Sequence, residues 1–229
     1  MFAWFARRYL DVLGSIYIYN EHRGYTAIDR VLEAVRKRYP TDRALNAAIE
    51  RHRADERKHY NMFRRWFELR GVMPLALDRA FGHIDRFIEI VFRKSIDELD
   101  TQAVIDSDEL FEQLCRVISL TERRGYRTVE ALLRNPIVLK DPVLTKIFRI
   151  IHKDEPSHWA PYEGWLSQHG RERSTFREKL VDGVVHSELL IFKLPFVFFN
   201  PWLRRRTDWA DAGEVSTRPG CPWFLLTHS

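Results

Sequence analysis

Two short segments of the chain carry the same pair of residues that could bind a metal. The segments at 55–59 and 154–158 both read Asp-Glu-x-x-His. In a helix, residues three positions apart leave the same side about one turn from each other. A carboxylate oxygen and an imidazole nitrogen presented in this way can bind one metal ion. One such pair is weak evidence because Glu and His are common in helices, but two pairs, each preceded by Asp, indicate a metal site.

The similarity between the two halves extends to an upstream glutamate. Glu21 lies in Asn-Glu-His-Arg-Gly-Tyr at 20–25, and Glu122 lies in Thr-Glu-Arg-Arg-Gly-Tyr at 121–126, so both match Glu-x-Arg-Gly-Tyr. This glutamate precedes the Glu-x-x-His glutamate by 35 residues in the first half and by 33 in the second. The chain therefore consists of two predicted helical hairpins, each with a Glu on its first helix and Glu-x-x-His on its second.

Apolar residues at spacings of three and four, together with capping residues and prolines, predict the helices that must position these side chains. Pro156 follows Glu155 inside the last long helix. Because proline has no N–H for the carbonyl of His152, we expect a kink or bulge there. Long helices are expected at about 10–39, 42–70, 107–134 and 141–170, and additional ones at about 75–99 and 173–190.

This order of residues resembles the ferritin-like di-iron carboxylate superfamily over about residues 10–170. In that fold, a four-helix bundle holds two metals between a Glu from each of two helices and a Glu-x-x-His from each of the others. The resemblance implies an all-α fold with a bundle domain at 1–170, a crossover helix at 75–99, and a C-terminal helix, aromatic segment and tail at 171–229 packed on the same domain. The implied ligands are Glu21, Glu56, His59, Glu122, Glu155 and His158.

The residue types of this set suit the binding of two metal ions. Four carboxylates supply four negative charges to two divalent ions, and the nearly neutral cluster that results can be tolerated in a bundle core. Oxygen ligands with few imidazoles favour iron or manganese over metals that prefer thiolates. We therefore expect two Fe ions, or one Mn and one Fe, per chain. Without metal, four buried carboxylates would repel one another and take up protons.

The two aspartates resemble the Asp of the Asp-Glu-x-x-His motif in bacterial multicomponent monooxygenases, where it hydrogen-bonds a ligating His. A metal-bound His usually gives its second N–H to such a partner. By that likeness, Asp55 would orient His158 across the bundle and Asp154 would orient His59. The alternative is that both aspartates lie on the solvated flank of their helices.

Tyr25 and Tyr126 lie four residues after their glutamates, on the same side of each helix. They could hydrogen-bond ligands or take part in electron transfer, or they could simply complete the core. Gly24 and Gly125 are interpreted as allowing neighbouring helices to approach closely.

Six other histidines are less clearly placed. His52 and His152 lie one turn before the Glu-x-x-His glutamates, and we interpret them as partly exposed helix residues rather than as additional ligands. His83, His169, His186 and His228 have no partner pattern.

Composition excludes several classes of protein. At 229 residues the chain suits one large domain, and its net charge of +5 comes from Arg interspersed with Asp and Glu, without a nucleic-acid-binding signature. Cys115 and Cys221 without a CxxC motif exclude a disulfide scaffold, a Cys-rich zinc site and a rubredoxin-type electron carrier. The first residues lack the order of a secretory signal, so a reducing cytoplasm is expected.

The segment 189–202 is apolar and aromatic, is interrupted by Lys193 and Pro195, and is too short to span a membrane. One interpretation is a lid on the bundle or an oligomer interface, for example in a homodimer. The other is peripheral contact with the inner face of a membrane through 189–206, with the basic residues at 204–206 on lipid phosphates.

The resemblance implies an oxidoreductase that activates O₂ to oxidise or hydroxylate a small or lipid-like organic molecule, with electrons from a separate donor protein. The first alternative is ferritin- or bacterioferritin-like iron oxidation, storage or peroxide removal. The second is a structural helical bundle whose Glu and His residues are inherited relics.

Overall fold

The computed structural model describes residues 2–212, except for the side chains at 2 and 80. Within this range the chain is helical and contains no β-strand, which confirms the predicted all-α class. Cys221 and His228 lie outside the described residues. The α-helices are α1 (Phe2–Arg38), α2 (Arg43–Leu69), α3 (His83–Phe92), α4 (Thr101–Asp106), α5 (Asp108–Leu132), α6 (Pro136–Leu139), α7 (Pro142–Asp154), α8 (Pro156–Gln168), α9 (Phe176–Glu188) and α10 (Leu194–Phe199).

Two helix pairs form the centre of the molecule. Helix α1 packs along α2, α5 packs along α8, and α2 also contacts α7 and α8. The turn between α1 and α2 is short, and Asp42 caps α2 by accepting a hydrogen bond from the backbone N–H of Leu45 at 2.9 Å. Ser107 caps α5 and Asp141 caps α7 in the same way. These caps determine where the central helices begin.

The central helices contribute to two separate clusters of buried apolar side chains. One buried cluster includes Leu13, Phe63 and Phe148, and another includes Ile28 and Ile49. On α2, Glu56 and His59 lie between these clusters in sequence, and on α1, Glu21 lies between Ile18 and Tyr25 of the first cluster. Large apolar side chains on both sides therefore separate the middle of the helices from water.

The connection between the helix pairs differs from the single helix predicted at 75–99. It contains a 3-10 turn at Arg79–Phe81, the shorter α3, and a second 3-10 turn at Ile96–Glu98. Helix α3 ends because Arg93 adopts a left-handed conformation with φ 57°. Asp85 of α3 is fully buried and accepts hydrogen bonds from Arg23 at 2.7 Å and Tyr19 at 3.0 Å, which fixes the connection to α1.

Pro156 divides the last long helix into α7 and α8, as its missing N–H predicts. Glu155 lies at the junction with helical dihedral angles, and its carbonyl accepts a hydrogen bond from the N–H of His158 at 2.9 Å. This is a tighter turn than in a regular helix, so the break occurs at a predicted ligand.

The C-terminal part packs against the central helices. Thr175 and Glu178 form a capping box that starts α9, and a π-helical turn at Leu189–Lys193 leads into α10. Arg8 of α1 donates hydrogen bonds to the backbone carbonyls of residues 197, 198 and 200, which holds the end of α10 against α1. Among residues 2–212, no helix is both long and apolar enough to cross a bilayer.

Candidate metal centre

The six predicted ligands converge from α1, α2, α5, the α7–α8 junction and α8. Each is buried, with less than a tenth of its surface exposed. Four carboxylates and two imidazoles therefore occupy one water-poor region. These residues are Glu21, Glu56, His59, Glu122, Glu155 and His158.

The side chains form two adjacent groups that share Glu56. In the first group, His59 Nδ1 lies 3.3 Å from Glu21 Oε2. In the second, His158 Nδ1 lies 3.5 Å from Glu56 Oε1 and 3.7 Å from Glu122 Oε2. Within each group, one ligand atom per residue lies within 4.8 Å of the others, so each group could hold a metal ion.

Glu155 lies beside the second group. Its Oε2 is 3.7 Å from His158 Nδ1, and neither atom has a hydrogen-bond partner among the described residues. The same is true of His59 Nδ1. Buried polar atoms without partners are uncommon and costly. Cations bound in the two groups would give these atoms partners, so the residues fit a metal.

In His59 and His158, the second ring nitrogen, Nε2, faces an aspartate. His59 Nε2 lies 3.1 Å from Asp154 Oδ2, and His158 Nε2 lies 3.6 Å from Asp55 Oδ2. Both contacts join different helices, and the pairs are the ones expected from the sequence. Lys58 contacts both carboxylates and balances their charge. A proton on His59 Nε2, shared with Asp154, leaves Nδ1 as the nitrogen available to a metal. His158 Nε2 is near Asp55 but has no hydrogen-bond partner among the described residues.

The electrostatics of the metal-free site indicate competition for protons. Burial alone would lower the pKa of His59, but the Asp154 and Glu21 carboxylates outweigh it and raise the pKa to about 9. Burial and the neighbouring carboxylates raise the pKa of Glu56 and, more strongly, that of Glu155. Burial also acts to raise the pKa of Glu122, but His158 and His52 lower it to about 2. A divalent ion would replace the protons that the site otherwise holds.

His52 is a member of the second group that the sequence interpretation missed. It is 1% exposed, and its Nε2 lies 3.7 Å from both Glu56 Oε1 and Glu122 Oε1. Its Nδ1 lies 2.9 Å from the hydroxyl of Tyr162, which is fully buried. The i,i+4 spacing to Glu56 was the available signal. Interpreting His52 as a partly exposed helix residue was wrong, because α8 covers this side of α2.

The two predicted tyrosines make ring contacts outside the six-residue set. Tyr25 is buried, with its ring centroid 5.9 Å from that of Tyr60. Tyr126 stacks on His152 at 4.3 Å and meets Trp159 at 5.5 Å. These contacts fit the packing interpretation, and a role in hydrogen bonding to ligands or in electron transfer remains a prediction.

The repeated glycines make room for ligand carboxylates. A Cβ at Gly24 would lie 2.1 Å from Glu56 Oε2, whereas a Cβ at Gly125 would lie 3.4 Å from Glu155 Oε1. The nearest atoms belong to carboxylates rather than to a neighbouring backbone, so close helix approach is not the reason for these glycines. Gly24 is needed in particular for the observed position of the shared glutamate.

An elongated cavity of about 450 Å³ reaches the carboxylates. Its lining residues on α1 extend from Gly24 to Phe5, a helical rise of about 28 Å. The walls are mainly apolar side chains of α1, α5, the π-helical turn and α10, including Leu189, Leu194 and Phe198. The segment predicted as a lid or a membrane anchor therefore forms one wall of a space that leads to the candidate metal centre.

No known protein family matches the chain, and no curated protein or solved structure matches it either.

Proposed function

We propose that this chain is a ferritin-like di-metal carboxylate oxidoreductase that uses O₂ to oxidise or hydroxylate an apolar organic molecule. One observation carries the proposal. Two Glu/His groups that share Glu56 lie next to each other, and the end of an apolar cavity reaches them. Oxygen-rich ligand sets favour iron or manganese, so the expected cofactor is a pair of Fe ions or one Mn and one Fe.

The protein residues have separate roles in this proposal. Glu21, His59, Glu122 and His158 would each bind one of the ions, and Glu56 lies where it can contact both. Asp154 holds the Nε2 proton of His59, which directs Nδ1 toward the metal, and Asp55 lies 3.6 Å from His158 Nε2, where it would act in the same way. Glu155 adds a fourth carboxylate that balances the charge of two divalent ions.

Bound iron would supply the redox chemistry with O₂, and the chain supplies the environment for it. The apolar walls of the cavity exclude water and accept a substrate of matching character. Its volume lies in the range of about 300–1,000 Å³ that is usual for small-molecule sites. Electrons would come from a separate donor protein, because the sequence has only two cysteines and no CxxC motif.

Iron oxidation and storage is the second candidate, because the same Glu and His residues would serve it. Storage requires a shell of many subunits, whereas an apolar cavity whose lining on α1 spans about 28 Å suits an organic substrate. Size-exclusion chromatography separates the two functions: a 24-subunit shell would favour storage, and a monomer or dimer would favour the enzyme.

Metal analysis of protein purified under reducing, iron-replete conditions tests the proposal. We expect about two Fe or Mn ions per chain and a large loss in Glu56→Ala. Glu50→Ala is the matched control, because Glu50 lies on the same helix with an exposed side chain. Absence of metal from the unmodified protein would instead favour a bundle that keeps these residues as relics. Oxygen consumption with a chemical reductant then tests the reaction.

A further inference from the structure

The polar side chains of the cavity wall include His83 at the start of α3, His186 near the end of α9, and Arg124 of α5. The two imidazole centroids lie 6.0 Å apart. His83 Nε2 and His186 Nδ1 are buried and have no hydrogen-bond partner among the described residues, whereas Arg124 contacts the carboxylate of Asp182. Two helices distant in sequence thus bring unsatisfied nitrogen atoms to one cavity.

The group lies at the carboxylate end of the cavity. The backbone N–H of His83 donates a hydrogen bond to the side chain of Asn20 at 3.0 Å, and Asn20 precedes Glu21. Arg124 follows Glu122 by two residues on α5. Phe5 and Phe199 line the other end. A ligand held by the two imidazole nitrogens would therefore have its polar end close to the candidate metals.

The charge of Arg124 is already compensated. Its guanidinium contacts the carboxylate of Asp182 and lies 6.0 Å from the ring centroid of Phe87. Burial and the nearby Arg124 lower the pKa of His83 well below its usual value, so this imidazole is neutral at pH 7. A carboxylate would therefore enter a site without a spare positive charge, which is unfavourable. A neutral oxygen needs only the free N–H groups.

We propose that His83 and His186, beside the Arg124–Asp182 pair, form a subsite for an uncharged oxygen acceptor, such as a carbonyl, at the end of an otherwise apolar substrate. The apolar part would extend along α1 toward Phe5, and the carbons next to the polar group would lie closest to the carboxylates. This assignment rests on the proposed function because it takes the cavity to be the substrate site. It defines the substrate class as an amphipathic molecule with one neutral polar end.

Displacement of an apolar fluorescent dye by 2-decanone, decane and decanoate tests the subsite. In the unmodified protein, 2-decanone should bind more tightly than either of the other probes. The double variant His83→Leu/His186→Leu should bind 2-decanone about tenfold more weakly, as expected for the loss of one or two neutral hydrogen bonds, and should bind decane unchanged. His169→Leu removes an imidazole at the end of α8, outside the cavity lining, and should change neither affinity.

The assay gives clear contrary results. Equal binding of 2-decanone by the double variant and the unmodified protein would overturn the subsite, and tighter binding of decanoate would overturn its uncharged character. His83→Gln/His186→Gln keeps hydrogen-bonding groups and should recover part of the affinity if the leucine variant folds poorly. Dye displacement requires neither metal nor O₂, so a failure of the proposed redox function would appear in the metal analysis and not here.

A separate observation concerns the outer surface at the other end of the cavity. Phe192, Phe199 and Trp202 are 68%, 72% and 85% exposed. Such a concentration of exposed large apolar side chains usually marks an interaction surface. We refer to the whole set as the aromatic patch, and it consists of Trp4, Phe5, Ile191, Phe192, Phe196, Phe199 and Trp202.

The aromatic patch is held rigidly and is accompanied by cations. Val197, on the opposite side of α10, is fully buried against Val12 and Ile16. Arg7 and Arg204 are exposed, and no ion pair is described for either within residues 2–212. Aromatic residues together with free Arg side chains match the acyl boundary and the phosphates of a bilayer surface.

We propose that the aromatic patch docks on a membrane containing anionic lipids, so that an amphipathic ligand enters the cavity past Phe5 and Phe199. Both residues belong to the aromatic patch and also line the cavity. The geometry suits a ligand that leaves the bilayer with its polar end first. Its apolar end would then remain near the membrane.

Co-sedimentation with phosphatidylcholine vesicles, with and without phosphatidylglycerol, tests the docking surface. We expect binding that increases with the anionic lipid and decreases at least tenfold in Phe192→Ser/Phe196→Ser, since each substitution removes a large buried apolar side chain from the interface. Phe176→Ser is the matched control, because Phe176 is 81% exposed but lies at the start of α9. Absence of vesicle binding, with a concentration-dependent dimer that the same double variant abolishes, would show that a second copy covers the aromatic patch.

Discussion

Substitution of the two repeated glycines provides an internal comparison of the two halves of the site. In Gly24→Ala, the new Cβ would lie 2.1 Å from Glu56 Oε2, so this oxygen has to move by about 1.3 Å to reach the 3.4 Å of ordinary contact. In Gly125→Ala, the corresponding distance to Glu155 Oε1 is already 3.4 Å. A Gly→Ala substitution therefore displaces the neighbouring carboxylate at position 24 but not at the equivalent position 125.

The metal-free stability should not decrease in either variant. Alanine is favoured over glycine inside a helix by roughly 0.5–1 kcal/mol. In Gly24→Ala, the clashing atom is the end of a Glu side chain, which can rotate away when no metal is bound. Thermal unfolding of metal-free protein should thus give a Tm equal to or above that of the unmodified chain for both variants.

Metal affinity should separate the variants. Glu56 belongs to both groups, so moving its carboxylate weakens both sites. We expect Gly24→Ala to lose at least about tenfold in affinity for Mn²⁺ or Fe²⁺, the size of effect seen when ligand orientation is disturbed, and Gly125→Ala to lose little. Competition with a chelator measures both. Unchanged affinity in Gly24→Ala would refute the assignment of Glu56 as a shared ligand.

Three further predictions test other parts of the site and its surroundings. Asp154→Asn should reduce metal affinity by roughly 10–100-fold, because it weakens the orientation of His59, whereas the exposed Asp29→Asn should not; chelator competition measures both. The folded-state pKa of His59 is raised to about 9, so its contribution to metal-free stability is complete below about pH 6.5 and is lost as the pH rises through 9. Urea unfolding between these pH values should show this loss, and Asp154→Asn should reduce it. Glu178→Ala removes the 2.8 Å partner of the buried Arg116 but leaves its contact with Glu112, so it should destabilise the chain by about 1–3 kcal/mol in the same assay; a loss below about 0.5 kcal/mol would show that the pair is effectively solvated.

The sequence predicted the helices and which Glu and His side chains come together, because both depend on local spacing. The periodicity of three and four, the caps at Asp42 and Asp141, and the break at Pro156 are properties of short segments. The duplication added long-range information, because two copies of one hairpin have to place equivalent residues in equivalent positions. The connection at 75–99 was predicted less well, since the left-handed Arg93 and the 3-10 turns depend on contacts such as Arg23 with Asp85.

Other features of the site depended on how the helices pack. His52 is buried only because α8 brings Tyr162 against α2, and His83 and His186 become neighbours only because α3 and α9 pack together. The cavity, with its aromatic wall on one side and its carboxylates at one end, likewise exists only between helices. By itself the sequence determined which residues share a side of each helix, because that follows from 3.6 residues per turn. The tertiary structure decided which sides face one another and what space remains between them, because side-chain volume and burial act between segments distant in the chain.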